Sequence, residues 1–167
     1  MTAADNAGPA SFVLVQVGEC RFALHASTIA ELAPPLRLHV FPHTSPLVVG
    51  VILRRGRIVP VYDPSPILHS QSPSAHRFYL IAHCSFGNTS ELSAIPVSGE
   101  CELVTGELQA LDTERPKYVS GILKSGEEDL DVLDLGALLA TSRSDMGQLN
   151  HTGTHPRMHR RALRGFS

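Results

Sequence analysis

The chain repeats itself. Shifted by 71 positions, Ala23 meets Ala94, Leu24 meets Ile95, Ser27 meets Ser98 and Glu31-Leu32 meets Glu102-Leu103. Farther along, Val48 meets Val119, Gly50-Val51 meets Gly121-Ile122, Val61 meets Val132, Asp63 meets Asp134 and Ile67-Leu68 meets Leu138-Leu139. One constant offset carries both ends of the pattern, so the sequence predicts two copies of one unit, residues 11–70 and 71–140. A unit of this size buries only about 60% of the surface that its unfolded chain exposes. Each copy therefore needs the other, and two small lobes packed on shared apolar strands are the physical remedy.

The local pattern inside the first copy is β. Phe12-Val13-Leu14-Val15-Gln16-Val17 is a β-branched apolar run, Gly18-Glu19 a turn and Arg21-Phe22-Ala23-Leu24 a return strand. Ser27 is expected to cap a short helical turn through Ile29, Glu31 and Leu32, stopped by Pro34-Pro35. Leu47–Leu53 and Arg57–Tyr62 flank a turn at Arg55-Gly56, and Asp63-Pro64 reads as a helix cap followed by proline at the first helical position. Gly50 and Gly121 mark close backbone approach in equivalent strands. The expected fold is all-β with short helices, a small barrel or rolled sheet in each copy. Residues 1–10 are expected to be a disordered lead-in, 69–76 a linker and 141–167 a basic, disordered tail.

Charge separates the regions. Residues 11–70 carry five Arg against Glu19, Glu31 and Asp63; residues 71–140 carry eleven acids against Arg77, Arg115, Lys117 and Lys124; residues 141–167 carry five Arg and Asp145. Opposite signs in neighbouring regions favour oriented docking. The apolar content of 43% is enough to fold, yet the densest apolar stretch, Leu47–Leu53, is far short of the roughly 20 residues of a membrane span. Residues 1–10 do not read as a signal peptide, and three cysteines without metal spacing (Cys20, Cys84, Cys101) fit a reducing compartment. A soluble, cytoplasmic protein without membrane insertion is expected.

The usual catalytic constellations are missing from the sequence. There is no G-x-S-x-G elbow, no phosphate-cradling G-x-x-x-x-G-K-[ST], no G-x-G-x-x-G and no H-E-x-x-H. Glu127-Glu128-Asp129 with Asp131 lacks the alternating ligands and glycine of a calcium loop and reads as a solvated hairpin tip. His151, His155 and His159 would share a helix face, but Gly153 and Pro156 argue against that helix. Cys84 and Cys101 read as core fillers. No enzyme activity, cofactor or metal is expected.

The segment Gly50-Val51-Ile52-Leu53-Arg54-Arg55-Gly56-Arg57-Ile58-Val59-Pro60-Val61-Tyr62-Asp63 resembles the hallmark of the CheW family, G-V-x-N-L-R-G-x-I-x-P-V-x-D-L-R, in its Gly, Val, Arg, Gly, Ile, Pro, Val and Asp. Upstream, Phe22-Ala23-Leu24 through Ile29-Ala30-Glu31-Leu32 is similar to the family's [YF]-A-[LI]-P…V-x-E-[VIL]. Downstream, Tyr118–Ile122 and Val132-Leu133-Asp134 to Leu138-Leu139 resemble its closing hairpin and last helix. The resemblance implies two SH3-like five-stranded β-barrels over residues 11–140 and an adaptor without catalytic activity, a monomer in isolation. The implied partners are the regulatory domain of a CheA-type histidine kinase and the cytoplasmic tip of a chemoreceptor, which would recruit the protein to membrane-bound arrays in chemotaxis or motility signalling. By motif position Ile29, Glu31 and Arg55, with Arg54 and Arg57 beside them, fall on the protein-binding surface, and a Glu31–Arg55 ion pair would hold it; Gly50, Gly56, Pro60, Asp63, Gly121 and Asp134 are structural. The sequence departs at Leu53-Arg54, where the family has Asn-Leu, and at Asp63-Pro64-Ser65, which loses the D-L-R arginine. Two other readings share these residues: a regulatory decoy that binds the kinase without the receptor, and a nucleic-acid-binding β protein using Arg54, Arg55, Arg57 and the tail.

Overall fold

The computed structural model describes residues 8–42, 46–69, 78–111 and 114–141. The expected tail beyond residue 141, nearly all of the linker and residues 1–7 of the lead-in lie outside them. Ala10 already belongs to the first strand. The strands are β1 (Ala10–Val17), β2 (Cys20–His25), β3 (Ile29–Ala33), β4 (Val48–Arg54), β5 (Arg57–Tyr62), β6 (Phe78–Phe86), β7 (Thr89–Val97), β8 (Glu102–Gly106), β9 (Leu108–Gln109), β10 (Val119–Ser125) and β11 (Glu128–Leu133). A single α-helix among the described residues, α1, spans 135–141.

These strands make two sheets, one in the order β8-β1-β2-β11-β10-β9 and one in the order β3-β6-β7-β5-β4. The fold is mainly β, in two barrel-like halves, as the sequence predicts. The halves, however, are not the two copies. The hairpin β1–β2 of the first copy lies in a sheet with β8 to β11 of the second, and the hairpin β6–β7 of the second joins β3 to β5 of the first. The crossing is symmetric: Val132 pairs parallel with Ala23, and Val61 with Ala94. Each parallel pair is the other moved by the repeat. We call the sheets the outer lobe (residues 10–25 and 102–133) and the inner lobe (29–97). The repeat names equivalent residues, but a hairpin presents the same edge to either copy, and the copies have exchanged hairpins.

The burial pattern follows the repeat. Ile52, Val59, Val61 and Ala94 fill the inner lobe, and their counterparts Leu123, Leu130, Val132 and Ala23 fill the outer one. The largest cluster lies between the sheets, where Leu24, Ile95, Tyr62, Leu133, Leu138 and Leu139 meet. This seam is what neither copy could build alone.

The marked structural residues behave alike in both lobes. Register shifts fall between Val48 and Gly50 and between Val119 and Gly121. A Cβ at Gly50 would stand 2.6 Å from the His39 carbonyl oxygen, and one at Gly121 would stand 2.8 Å from that of Gln109. Glycine is required at both by close approach. Val51 exchanges both backbone hydrogen bonds with His39 (2.8 and 2.9 Å). Pro60, opposite Val51, is thus in a non-hydrogen-bonded pair where β4 needs no donor. Asp134 caps α1 by accepting from the Ala137 N–H (3.1 Å), and Asp63 accepts from the Ser65 N–H (3.0 Å) at the start of a shorter helical turn.

One local expectation is overturned. Ser27 caps no helical turn through Ile29, Glu31 and Leu32; a 3-10 turn covers only Ala26–Thr28, and Ile29 to Ala33 form β3. Pairing with the long apolar strand β6, Leu32 opposite Leu80 and Ala33 opposite Tyr79, outweighs the weak local helical preference.

Candidate functional site

The β4–β5 hairpin begins the site. Its loop is two residues, Arg55 (φ 50) and Gly56 (φ 73), the left-handed pair that matches the twist of the flanking strands. Arg54 therefore ends β4 and Arg57 begins β5 directly opposite it. Arg55 projects into solvent, its side chain 77% exposed.

Across the lobe mouth, β3 presents Glu31. Arg54 donates to its Oε1 from Nε (3.0 Å) and again from Nη2, and Arg55 approaches the same oxygen at 3.5 Å. The expected Glu31–Arg55 contact is present, but Arg54 is the principal partner. The hydrogen bond from Arg54 holds the Glu31 carboxyl below the usual carboxylate range, against desolvation that pushes it up. The same bond raises the Arg54 guanidinium. Glu31 thus fixes Arg54 and holds Arg55 only in a looser contact, the Arg55 side chain staying largely in solvent.

These residues rim a groove of about 500 Å³ lined by Ala30, Glu31, Arg54, Arg55, Arg57, Val59, Ile81, His83 and Leu92. Its rim is cationic and its floor apolar. Beside it, Leu53 and Ile58 pair across the hairpin and stand 56% and 70% exposed. The hairpin thus presents an exposed apolar pair flanked by three arginines. Ile29 is not brought to this groove; it is half-buried against the seam. The floor residues escaped the sequence reading because β6 and β7 reach the hairpin only through the exchanged topology. His83 did leave a signal, since it interrupts the apolar run Phe78–Ala82.

Nothing among the described residues assembles for metal chemistry: no group of three or more His, Cys, Asp or Glu could hold an ion. Burial pushes the Cys84 thiol up to about 11, far from the thiolate a nucleophile needs. No helix among the described residues is long and apolar enough to cross a membrane.

Two exchanged β lobes around an apolar seam, with a cationic groove and an exposed apolar hairpin, define a two-lobed β-barrel module. The chain belongs to the CheW-like family: the model of the CheW-like domain matches residues 11–143. That makes it a member of a chemotaxis scaffold and adaptor family. The fold is similar to the crystal structure of the scaffolding protein TtCheW from Thermoanaerobacter tengcongensis, with a TM-score of 0.64 at 19% identity, covering 78% of this chain and 92% of that one. A comparison with curated proteins finds no match.

Proposed function

We propose that this protein is a non-enzymatic adaptor that couples chemoreceptor tips to the regulatory domain of a CheA-type histidine kinase. In this role it would be a cytoplasmic protein recruited to membrane-bound receptor arrays. The observation that carries the reading is the Glu31–Arg54–Arg55 constellation beside an exposed Leu53–Ile58 pair, on a chain of this family. Glu31 and Arg54 hold the rim; Arg55 and Arg57 offer charge to a partner; the apolar pair supplies the area that a contact must bury. The work is done by bivalency, because holding kinase and receptor together raises the effective concentration of each for the other.

A kinase assay with receptor, run with and without this protein, tests the reading. Receptor control of the kinase should appear only when the protein is added, and binding to neither partner would remove the proposal. Pull-down with receptor fragments alone separates the adaptor from a decoy that binds only the kinase.

A further inference from the structure

Each lobe contains one parallel strand pair in contact at a single register position, Val61 with Ala94 in the inner lobe and Val132 with Ala23 in the outer. Toward the starts of these strands the ladder stops, and each lobe is left with a cleft. The inner cleft, of about 420 Å³, is lined by Arg57, Ile58, Val59, Pro60, Glu91 and Leu92. The repeat carries Arg57–Pro60 onto Glu128–Asp131 and Leu92 onto Arg21, and these residues line the outer cleft of about 340 Å³. One feature is thus built twice, with different chemistry. In the outer cleft Arg21 of β2 reaches Glu128 of β11 at 2.7 Å and spans the gap. In the inner cleft β5 brings Arg57, β7 brings Glu91, and Leu92 stands where the bridging arginine would be. Neither Arg57 nor Glu91 has an ion-pair partner among the described residues. Between them Ile58 is largely exposed, beside the half-buried Pro60 and Leu92.

A cation on one wall of an apolar cleft and an anion on the other, neither compensated within the chain, make a surface complementary to itself. We propose that this cleft is a contact between two copies of the chain, related by a twofold axis running along it, in place of the monomer that the family resemblance implies. Because β5 and β7 run parallel here, their register fixes what meets. Counting back from Val61 beside Ala94, Ile58 lies level with Glu91 and Val59 with Leu92. A twofold axis along the cleft lays β5 of one copy over β7 of the other at the same level. Arg57 then meets Glu91 of the second copy, the same pair forms again in reverse, and Ile58 enters the cleft against Leu92. The outer cleft offers no such contact through Arg21 and Glu128, which already hold each other. A contact confined to one cleft is small, and interfaces burying less than about 1,200 Å² belong to weak, transient encounters. Pairing covers Ile58 and Arg57, so it competes with the partners assigned to this hairpin. That consequence rests on the adaptor reading; the contact itself does not.

Sedimentation equilibrium of the full chain tests this, between about 10 µM and about 500 µM, the range in which a weak pair dissociates. The mean mass should rise from 18.0 kDa toward twice that value and stop there. Arg57→Glu and Glu91→Arg each set like charges face to face and should weaken association about tenfold or more. Mixing these two variants gives every reversed charge an opposite partner and should restore pairing, as should the double variant Arg57→Glu/Glu91→Arg. Both residues are exposed, so the urea midpoints should stay at the parent's value. Should a variant unfold, the parent decides alone: raising salt from about 0.05 M to about 0.5 M should weaken its association. A mass of one copy throughout, growth past two copies, association indifferent to salt, or a mixture no heavier than its components would overturn the proposal. A chain that stays monomeric yet couples kinase and receptor leaves the adaptor reading intact and removes the contact. A chain that pairs as expected but binds neither protein removes the adaptor reading and leaves the contact standing.

Discussion

The β4–β5 and β10–β11 hairpins occupy equivalent places in the two lobes and present opposite surfaces. The inner hairpin reads Leu53-Arg54-Arg55-Gly56-Arg57-Ile58; its counterpart reads Lys124-Ser125-Gly126-Glu127-Glu128-Asp129. Beneath them the packing matches: Ile52 and Leu123 are both essentially inaccessible, as are Val61 and Val132. The apolar pair Leu53–Ile58 becomes the charged pair Lys124–Asp129 at the same register. On the outer hairpin Glu128 is met by Arg21 (2.7 Å), and farther along β11 Asp131 is met by Arg115 (2.8 Å). Within one chain, then, the buried positions keep their apolar character while the exposed ones diverge. The outer hairpin clasps Glu128 with an arginine of its own lobe, whereas the inner one leaves apolar area and two arginines facing outward.

The matched interiors can be challenged first. Ile52→Ala and Leu123→Ala should each cost about 2–5 kcal/mol in urea unfolding, by similar amounts and in a single transition. Unequal costs, or two transitions, would break the equivalence. Gly50→Val and Gly121→Val should follow at about 1–3 kcal/mol each, since the new side chain meets a carbonyl oxygen in both lobes. At the surface the lobes should part company. Arg55→Ala should impair receptor-dependent kinase control several-fold and move the unfolding midpoint hardly at all, within about 0.5 kcal/mol. Glu128→Ala should leave kinase control intact and cost under about 1 kcal/mol, because the Arg21 pair is half-exposed. The smallest effect is in pH. A carboxyl held below its ordinary value contributes above that value and stops contributing as pH falls through the lowered one. The Glu31–Arg54 clasp should therefore persist near pH 4.3, where an ordinary glutamate is about half protonated. The Arg54 Nε–H signal in NMR spectra reads it directly, and loss of that signal already at about pH 5 would contradict the hydrogen bond assigned here.

Much of this was legible from residues alone. The strands β1, β2, β4 and β5, the Arg55-Gly56 turn, the Gly50 approach and the Asp63 cap follow from local chemistry, and the 71-residue offset carries the glycine and the cap to Gly121 and Asp134; the same local chemistry reads β3 as a helical turn. The exchange of hairpins was not legible, because pairing between distant strands leaves no mark on local pattern. For the same reason the groove floor was hidden: Ile81, His83 and Leu92 lie far along the chain from Arg54, and the pairing of β6 with β3 and of β7 with β5 brings them near. The choice of Arg54 over Arg55 as principal partner of Glu31 turns on loop geometry. Arg55 occupies the tight turn and points outward, while Arg54 ends a strand facing β3.

The exchange has a mechanical meaning. A beads-on-a-string protein can bend where one bead ends, but here the inner lobe is set inside a gap in the outer lobe's chain, and the polypeptide crosses at two points, residues 26–28 and 98–101. Twisting one lobe against the other strains both crossings and the sixteen-residue apolar seam at once. Such a body is a lashed joint and not a hinge, since bending between the lobes has to open both crossings and the seam together.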